Sequence, residues 1–224
     1  MWCVATIDRQ YVRRMEDVLR LYARKCQWDA PVVGLDERPV QLLEHAHPSV
    51  AMKPGGLRRV DHEYVRAGSA NVFCAVEPLT GWRMTHATRN RKAGAYARAL
   101  LKIAKRYPHA KTIHLVQDNL STHTLRSLIA TFGKRAGRAL WRRFTVHYTP
   151  KHASWLNVAE IEASLVAREC LAERIPAFLD LRRKVSAWRR RKERSGSTID
   201  WSFRVRDARR VFRYDGINSS WSEH

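Results

Sequence analysis

Between positions 8 and 25 apolar residues recur at helical spacing, with Tyr11, Val12, Met15, Val18, Leu19 and Tyr22 forming one stripe. Such a stripe predicts an amphipathic helix, and Asp8 is placed to cap its start. Residues 31–37 (PVVGLDE) then form a short apolar run behind Pro31, which reads as a buried strand. Residues 45–61 carry Pro48, Pro54, Gly55 and Gly56 and read as a loop. HEYVR (62–66) and ANVFCAV (70–76), parted by AGS, predict a hairpin, and WRMTHAT (82–88) adds a third strand.

Further along, Ala95, Ala99, Ile103 and Tyr107 line one face of a helix from about Arg91 to Tyr107, which Pro108 ends. TIHLVQD (112–118) is the next strand, and THTLRSLIATFG the next helix, stopped by Gly133. A helical stretch continues through the 130s to a strand near 143–149 (RFTVHYT). A helix from Trp155 to about Glu173 precedes Pro176, residues 177–194 read as a basic helix, and 197–224 as short mixed structure. Antiparallel strands first, then strands alternating with helices, predict a mixed α/β sheet flanked by helices. A ribonuclease H-like fold has that order. The expected division is an N-terminal helical segment (1–30), a catalytic-type domain (31–175), and a basic C-terminal helical extension packed on it (176–224).

At 224 residues, 45% hydrophobic with eight tryptophans, the chain can bury one large core and is not a disordered tail. Charge changes the picture more. Forty-two Lys and Arg stand against 21 Asp and Glu, a net charge of +21 that calls for a polyanionic partner, most simply nucleic acid. No basic amphipathic segment with a clean apolar face and no membrane-length apolar run stands out, so nucleic acid is expected as the partner before a membrane. Cys3, Cys26, Cys74 and Cys170 form no CxxC pair, so zinc ribbons are unsupported and the thiols read as reduced, in a cytoplasmic protein.

In so basic a chain, carboxylates at the ends of apolar strands are candidates for chemistry. Asp36 closes PVVGLD, Asp118 closes TIHLVQD, and Glu160 and Glu162 open the helix after TPKHASWLN. Phosphodiester cleavage needs hard oxygen ligands from several rigid elements to hold Mg²⁺ or Mn²⁺. If the two strands are neighbours, Asp36 and Asp118 lie side by side, and their charges need a cation between them. Each Asp taken singly is also a common turn former or helix cap. Asn157-Val-Ala-Glu160 equally fits a capping box. Glu160 and Glu162 lie roughly 200° apart on a helix, so one site uses only one of them, and hydrophobicity does not say which.

GLDERPVQLL, VQDNLSTHT and HYTPKHASWLNVAEIE, in this order, resemble the three catalytic blocks of DDE-superfamily transposases, above all the mariner-related group of bacterial insertion sequences. The likeness runs to WSFRVRDARR near the end of the chain. It implies a ribonuclease H-like catalytic domain with Asp36, Asp118 and Glu160 as catalytic metal ligands and two Mg²⁺ or Mn²⁺ ions. It implies cleavage at element ends and attack of the freed 3′-hydroxyl on target DNA. Glu162 becomes a packing acid. Asn119 and His123 follow the second Asp and could orient a metal-bound water or a phosphate by analogy; the alternatives are a cap for the helix 120–132 and an exposed side chain. The interval between Asp118 and Glu160 holds 41 residues, longer than usual for mariner relatives, with the excess expected in GKRAGRALW. The resemblance further implies double-stranded DNA as partner, an upstream helix-turn-helix module on the same or a separate chain, possible homodimerisation, and action at the bacterial nucleoid.

Lys151, His152 and Trp155, beside the third acid, suit a phosphate backbone and a splayed base, though a lone Trp is more often core. Residues 182–194 hold eight Lys and Arg in thirteen, so Arg189, Arg190, Arg191 and Lys192 are expected to meet DNA phosphates. Two other readings stand beside the transposase: a structure-specific nuclease of the same fold, and a non-catalytic or domesticated DNA-binding remnant.

Overall fold

The computed structural model describes residues 7–47 and 62–214. Helix α1 (Arg9–Tyr22) starts at Asp8, whose carboxylate accepts the Tyr11 N–H at 2.6 Å. Strands β1 (Val32–His45), β2 (Tyr64–Glu77) and β3 (Trp82–Thr88) follow, then helix α2 (Ala93–Arg106) and strand β4 (Ile113–Gln117). Helices α3 (Leu125–Phe132) and α4 (Lys134–Trp141) lead to strand β5 (Phe144–Tyr148). A short 3-10 turn (Ser154–Leu156) precedes α5 (Val158–Cys170), α6 (Phe178–Arg194) and α7 (Val205–Phe212). The sheet order is β3-β2-β1-β4-β5. β1 and β3 run antiparallel to β2, whereas β4 is parallel to β1 and β5 to β4, giving the expected mixed sheet.

The expected hairpin between 62–66 and 70–76 does not form. Residues 64–77 are one strand, and its partner is a β1 that continues to His45. The register slips between Leu42 and Leu43, where Leu42 faces Gly68 but Leu43 faces Arg66. Gly68 has φ 117°, so the AGS segment makes a bulge inside a strand, not a reversal. Asp36 therefore lies within β1. The remainder of the expected loop, 48–61, falls outside the described residues, as do Cys3 and the last part of the tail. The helix expected at 120–132 begins only at Leu125, and Gly133 (φ 82°) separates it from α4.

Period-two alternation sends the strands' side chains to two cores. Val33, Leu35, Phe73, Ala75, Ile113 and Leu115 meet Tyr96, Leu100 and Ile103 of α2 and Leu128 of α3 on one face. On the other face Val76 and Val116 meet α1 and the start of α5. Val72 and Cys74 meet Val166 of α5 and Leu181, Val185 and Trp188 of α6. α7 is tied to α1 through Glu16, which accepts from Arg209 (3.1 Å) and Tyr214 (3.0 Å).

α1 is also tied to the parallel strands by a chain of hydrogen bonds with a single direction. Arg24 donates to His114 Nε2 (3.1 Å), so His114 Nδ1–H donates to His147 Nε2 (2.9 Å), and His147 Nδ1–H donates to Asp17 (2.6 Å). His147, on β5, is thus a structural link between the sheet and α1. No described helix is long and apolar enough to cross a membrane.

Candidate metal centre and nucleic-acid interface

Gly34 pairs with Val116 across the parallel β1–β4 ladder, so Asp36 lies level with Asp118, the residue that follows β4. The side-by-side placement expected of these two acids is therefore present. Gly34 and Asp36 share the face of β1 that receives α5. A Cβ on Gly34 would lie 2.6 Å from Val158 Cγ1 and 3.0 Å from Ala159 N, so only glycine lets the first turn of α5 rest on the strand. Asn157 then locks the contact. Its Oδ1 caps α5 at Ala159 N (3.2 Å), and its Nδ2 donates to Leu35 O (2.8 Å), the carbonyl beside Asp36. Tyr22 of α1 donates to Leu156 O (3.0 Å) and accepts from Val158 N (3.1 Å). Strand, helix start and α1 are thus fixed to one another within a turn of Glu160.

Glu160 is free of the capping-box role. The Asn157 N–H that it would serve goes to Ser154 O (2.7 Å), and its carboxylate has no hydrogen bond or ion pair among the described residues. Glu162 is the opposite case. It pairs with Arg83 Nε at 3.0 Å, both side chains being at most 3% exposed. Arg83 also donates to Gly81 O and Ser197 O, each at 2.7 Å. Glu162 is the structural acid, as the resemblance implied.

The electrostatics tie three carboxylates together. Burial pushes the Asp36 carboxyl up to about 7, and Glu37, Asp118 and Glu160 push the same way against the hydrogen bond from Glu37 N. Asp118 is held below the usual carboxylate range: burial would raise it, but the adjoining His123 outweighs burial. His123 Nδ1 lies 2.7 Å from Asp118 Oδ1 and its Nε2 2.6 Å from Glu37 Oε1. Burial alone would lower the imidazole, yet the two carboxylates raise it to about 9. At neutral pH it is an imidazolium donating from both nitrogens. Its ring stacks on Tyr96 with centroids 4.5 Å apart. His123 is therefore buried and orients Asp118, and the exposed alternative is excluded.

The donor set fits a hard divalent cation. Asp118 Oδ1 accepts from Leu120 N and meets His123, but no partner is recorded for Oδ2 among the described residues. Asp36 Oδ1 accepts only from Glu37 N, and Glu160 is unpartnered among the described residues. Three carboxylates on rigid elements thus retain vacant oxygens, and their repulsion is the charge imbalance a divalent ion relieves. Glu37, Asp118 and His123 also bring ligand atoms within 4.8 Å of one another. A protonated His123 has no lone pair to offer, so Glu37 and His123 act behind Asp118. Sequence reading missed Gly34 and Glu37. A glycine two residues before the strand acid, and an acid directly after it, were the available signals.

Asn119 does not cap a helix, because Thr124 holds the N-cap position of α3. It accepts from Arg14 (3.1 Å) and donates to Thr149 O (2.7 Å). This bridge floors a cleft of about 480 Å³ lined by Tyr11, Arg14, Asn119, Lys151 and His152. Lys151 and His152 are exposed there, the latter with left-handed backbone (φ 59°). Trp155 is given a packing role instead of a base to stack on: it lies against Phe203 (5.5 Å) and Phe212 (6.1 Å) in the α1–α7 core. The basic run on α6 is also partly compensated, contrary to expectation. Arg189 pairs with Glu193 (2.6 Å) and Lys192 with Glu169 (3.0 Å), leaving Arg190 and Arg191 as the exposed pair of these four. Of the two acids, Glu193 lies within the run itself, whereas Glu169 comes from the end of α5.

Residues 31–182, more than half of the chain, match the family model described as DDE superfamily endonuclease. A comparison with curated proteins finds no match. Among solved structures, the chain is similar to the Mos1 mariner paired end complex with Mn, at 14% identity and a TM-score of 0.56, over 88% of this chain and 61% of that one. It is also similar to the Mos1 strand transfer complex, at 15% identity and a TM-score of 0.52, over 84% and 56%. At these identities the likeness is one of fold, and the fold is the ribonuclease H-like one that the element order predicted. The chain spans about three fifths of the length of these solved relatives.

Proposed function

The chain belongs to the DDE superfamily endonucleases, and we propose that it is the catalytic part of a mariner-related insertion-sequence transposase. It cleaves DNA strands at the element's ends and joins the freed 3′-hydroxyl to target DNA. The observation that supports this reading is Asp36 on β1 level with Asp118 at the end of β4, with Asn157, which caps the helix bearing Glu160, bonded to the Leu35 carbonyl beside Asp36.

Asp36, Asp118 and Glu160 would hold the divalent ions, Mg²⁺ or Mn²⁺ and two in number. The Mos1 paired end complex, solved with Mn, supports that choice. When bound, such ions supply the Lewis acidity that activates the attacking hydroxyl and stabilises the leaving oxygen. His123 holds Asp118 in one orientation through Oδ1, leaving Oδ2 for the ion, and Glu37 holds His123 in turn. Arg14, Lys151 and His152 line the adjacent cleft, where a DNA phosphate is neutralised without base recognition. Arg190 and Arg191 extend the phosphate contacts along α6. Reading of the terminal repeats falls to a helix-turn-helix module, and pairing of two ends to a homodimer.

The test is Asp118→Asn. It removes one metal ligand and one negative charge facing phosphate. Mn²⁺-dependent nicking of end-containing DNA should vanish while duplex binding persists or tightens. In the parent protein Ca²⁺ should support binding without cleavage, because its loose coordination places the nucleophile poorly. Nicking by pure Asp118→Asn protein at the parent rate would reject the assignment.

A further inference from the structure

A second cationic surface lies apart from the carboxylates. A groove of about 550 Å³ runs between β3, an edge strand of the sheet, and helix α2. Arg89, Arg98, Lys102 and Lys105 line it, and no carboxylate does. Arg98, Lys102 and Lys105 stand at i, i+4 and i+7, one face of the helix. None of the four cations forms an ion pair among the described residues. α6 is different, since there the neighbouring acids already neutralise Arg189 and Lys192.

The cations converge across the groove. His86 on β3 is held down at about 4, first by burial and then by Lys102 and Arg98, so it stays neutral. Arg89 is fixed at the rim by the Phe178 ring, 4.9 Å from its guanidinium carbon. The groove also has a direction. α2 begins beside the candidate metal centre, where Tyr96 stacks on His123 and the charge of Arg91 reaches Asp118. From Ala93 to Lys105 the helix advances about 18 Å, roughly five base pairs of B-form duplex at 3.4 Å each.

We propose that the groove between β3 and α2 is a second DNA contact, gripping the phosphate backbone of duplex DNA about half a helical turn from the bond to be cut. The inference rests on the nuclease reading above and adds to it a track along which the duplex leaves the centre. Four cations without an acid partner among the described residues, in a groove whose lining holds no carboxylate, suit phosphates, contacts that carry no sequence information.

The experiment compares the full chain with Lys102→Glu/Lys105→Glu and with the milder Lys102→Gln/Lys105→Gln. A control, Arg135→Glu/Arg138→Glu on α4, removes the same charge from another surface. Affinity for a 30-base-pair duplex is measured from 50 to 200 mM salt, with thermal melting to establish that each variant is folded. Loss of two phosphate contacts should make the slope of log K against log salt shallower by about 2. The groove variants should show that change, and the control should show less than half of it. A groove variant with the parent's slope, or a control that loses as much, would overturn the inference. A parent that binds no duplex would instead sink the nuclease reading, and this inference with it.

Discussion

Gly34→Ala should disable the candidate metal centre without touching any of its ligands. The added Cβ would stand 2.6 Å from Val158 Cγ1, 3.0 Å from Ala159 N and 3.1 Å from Asn157 Oδ1. Ordinary carbon contacts begin near 3.5 Å, so the first turn of α5 must retreat from β1 by about 0.5–1 Å. Val158 gives little, because a β-branched residue in a helix has one favoured rotamer. The retreat strains the 2.8 Å bond from Asn157 to Leu35 O and carries Glu160 away from Asp36. Overpacking of this kind costs about 1–3 kcal/mol of stability. A misplacement near 1 Å costs about a hundredfold in rate. Mn²⁺-dependent nicking should therefore fall about a hundredfold, duplex binding should stay within a few-fold, and the urea midpoint should drop. Adding Val158→Ala removes the closest atom and should restore part of the rate. If Gly34→Ala alone nicks like the parent, β1 and α5 do not set the position of Glu160.

Arg83→Ala strands the Glu162 carboxylate in the core and should cost roughly 3–5 kcal/mol in urea unfolding; a loss below about 1 kcal/mol would mean the pair is not buried in solution. His123→Gln should lower Mn²⁺ affinity or nicking about 10–100-fold, as the loss of a ligand's supporting partner does, while leaving duplex affinity unchanged; equal losses in both would point to collapse of the site. His114 is held at about 4 by burial, His147 and Arg24, below its unfolded value near 6.5. Its contribution to stability is complete above pH 6.5 and is lost as pH falls toward 4, because the unfolded chain takes up the proton first. His114→Gln should flatten that part of the urea-midpoint profile, and an unchanged slope between pH 6.5 and 4.5 would refute it.

Asp36 and Asp118 were legible because an apolar run that stops at a carboxylate announces itself in one dimension. Their adjacency was not, since it depends on β4 returning to pair with β1 across the chain segment that includes β2, β3 and α2. The choice between Glu160 and Glu162 came only from resemblance; the physical reason, Arg83, lies 79 residues away. β1 was read too short: the strand was ended at residue 37, two positions before Pro39, and residues 38–44 were given no element. Its Pro39 sits where β1 has already left β4, whose ladder ends at Gly34, and an edge tolerates proline. Gly68 misled in the other direction: the same positive φ serves a turn or a bulge, and only the partner strand decides between them.

Arg83 joins the turn at Gly81, Glu162 of α5 and the carbonyl of Ser197. The last of these reaches the ribosome's exit 114 positions after Arg83 itself. Until it arrives, one guanidinium N–H lacks its acceptor, and the helix that bears Glu160 is incompletely anchored. During synthesis, then, the three acids exist in the nascent chain well before they can be held in place. The candidate metal centre thus receives one of its anchors from a segment outside the sheet that is made after all three acids.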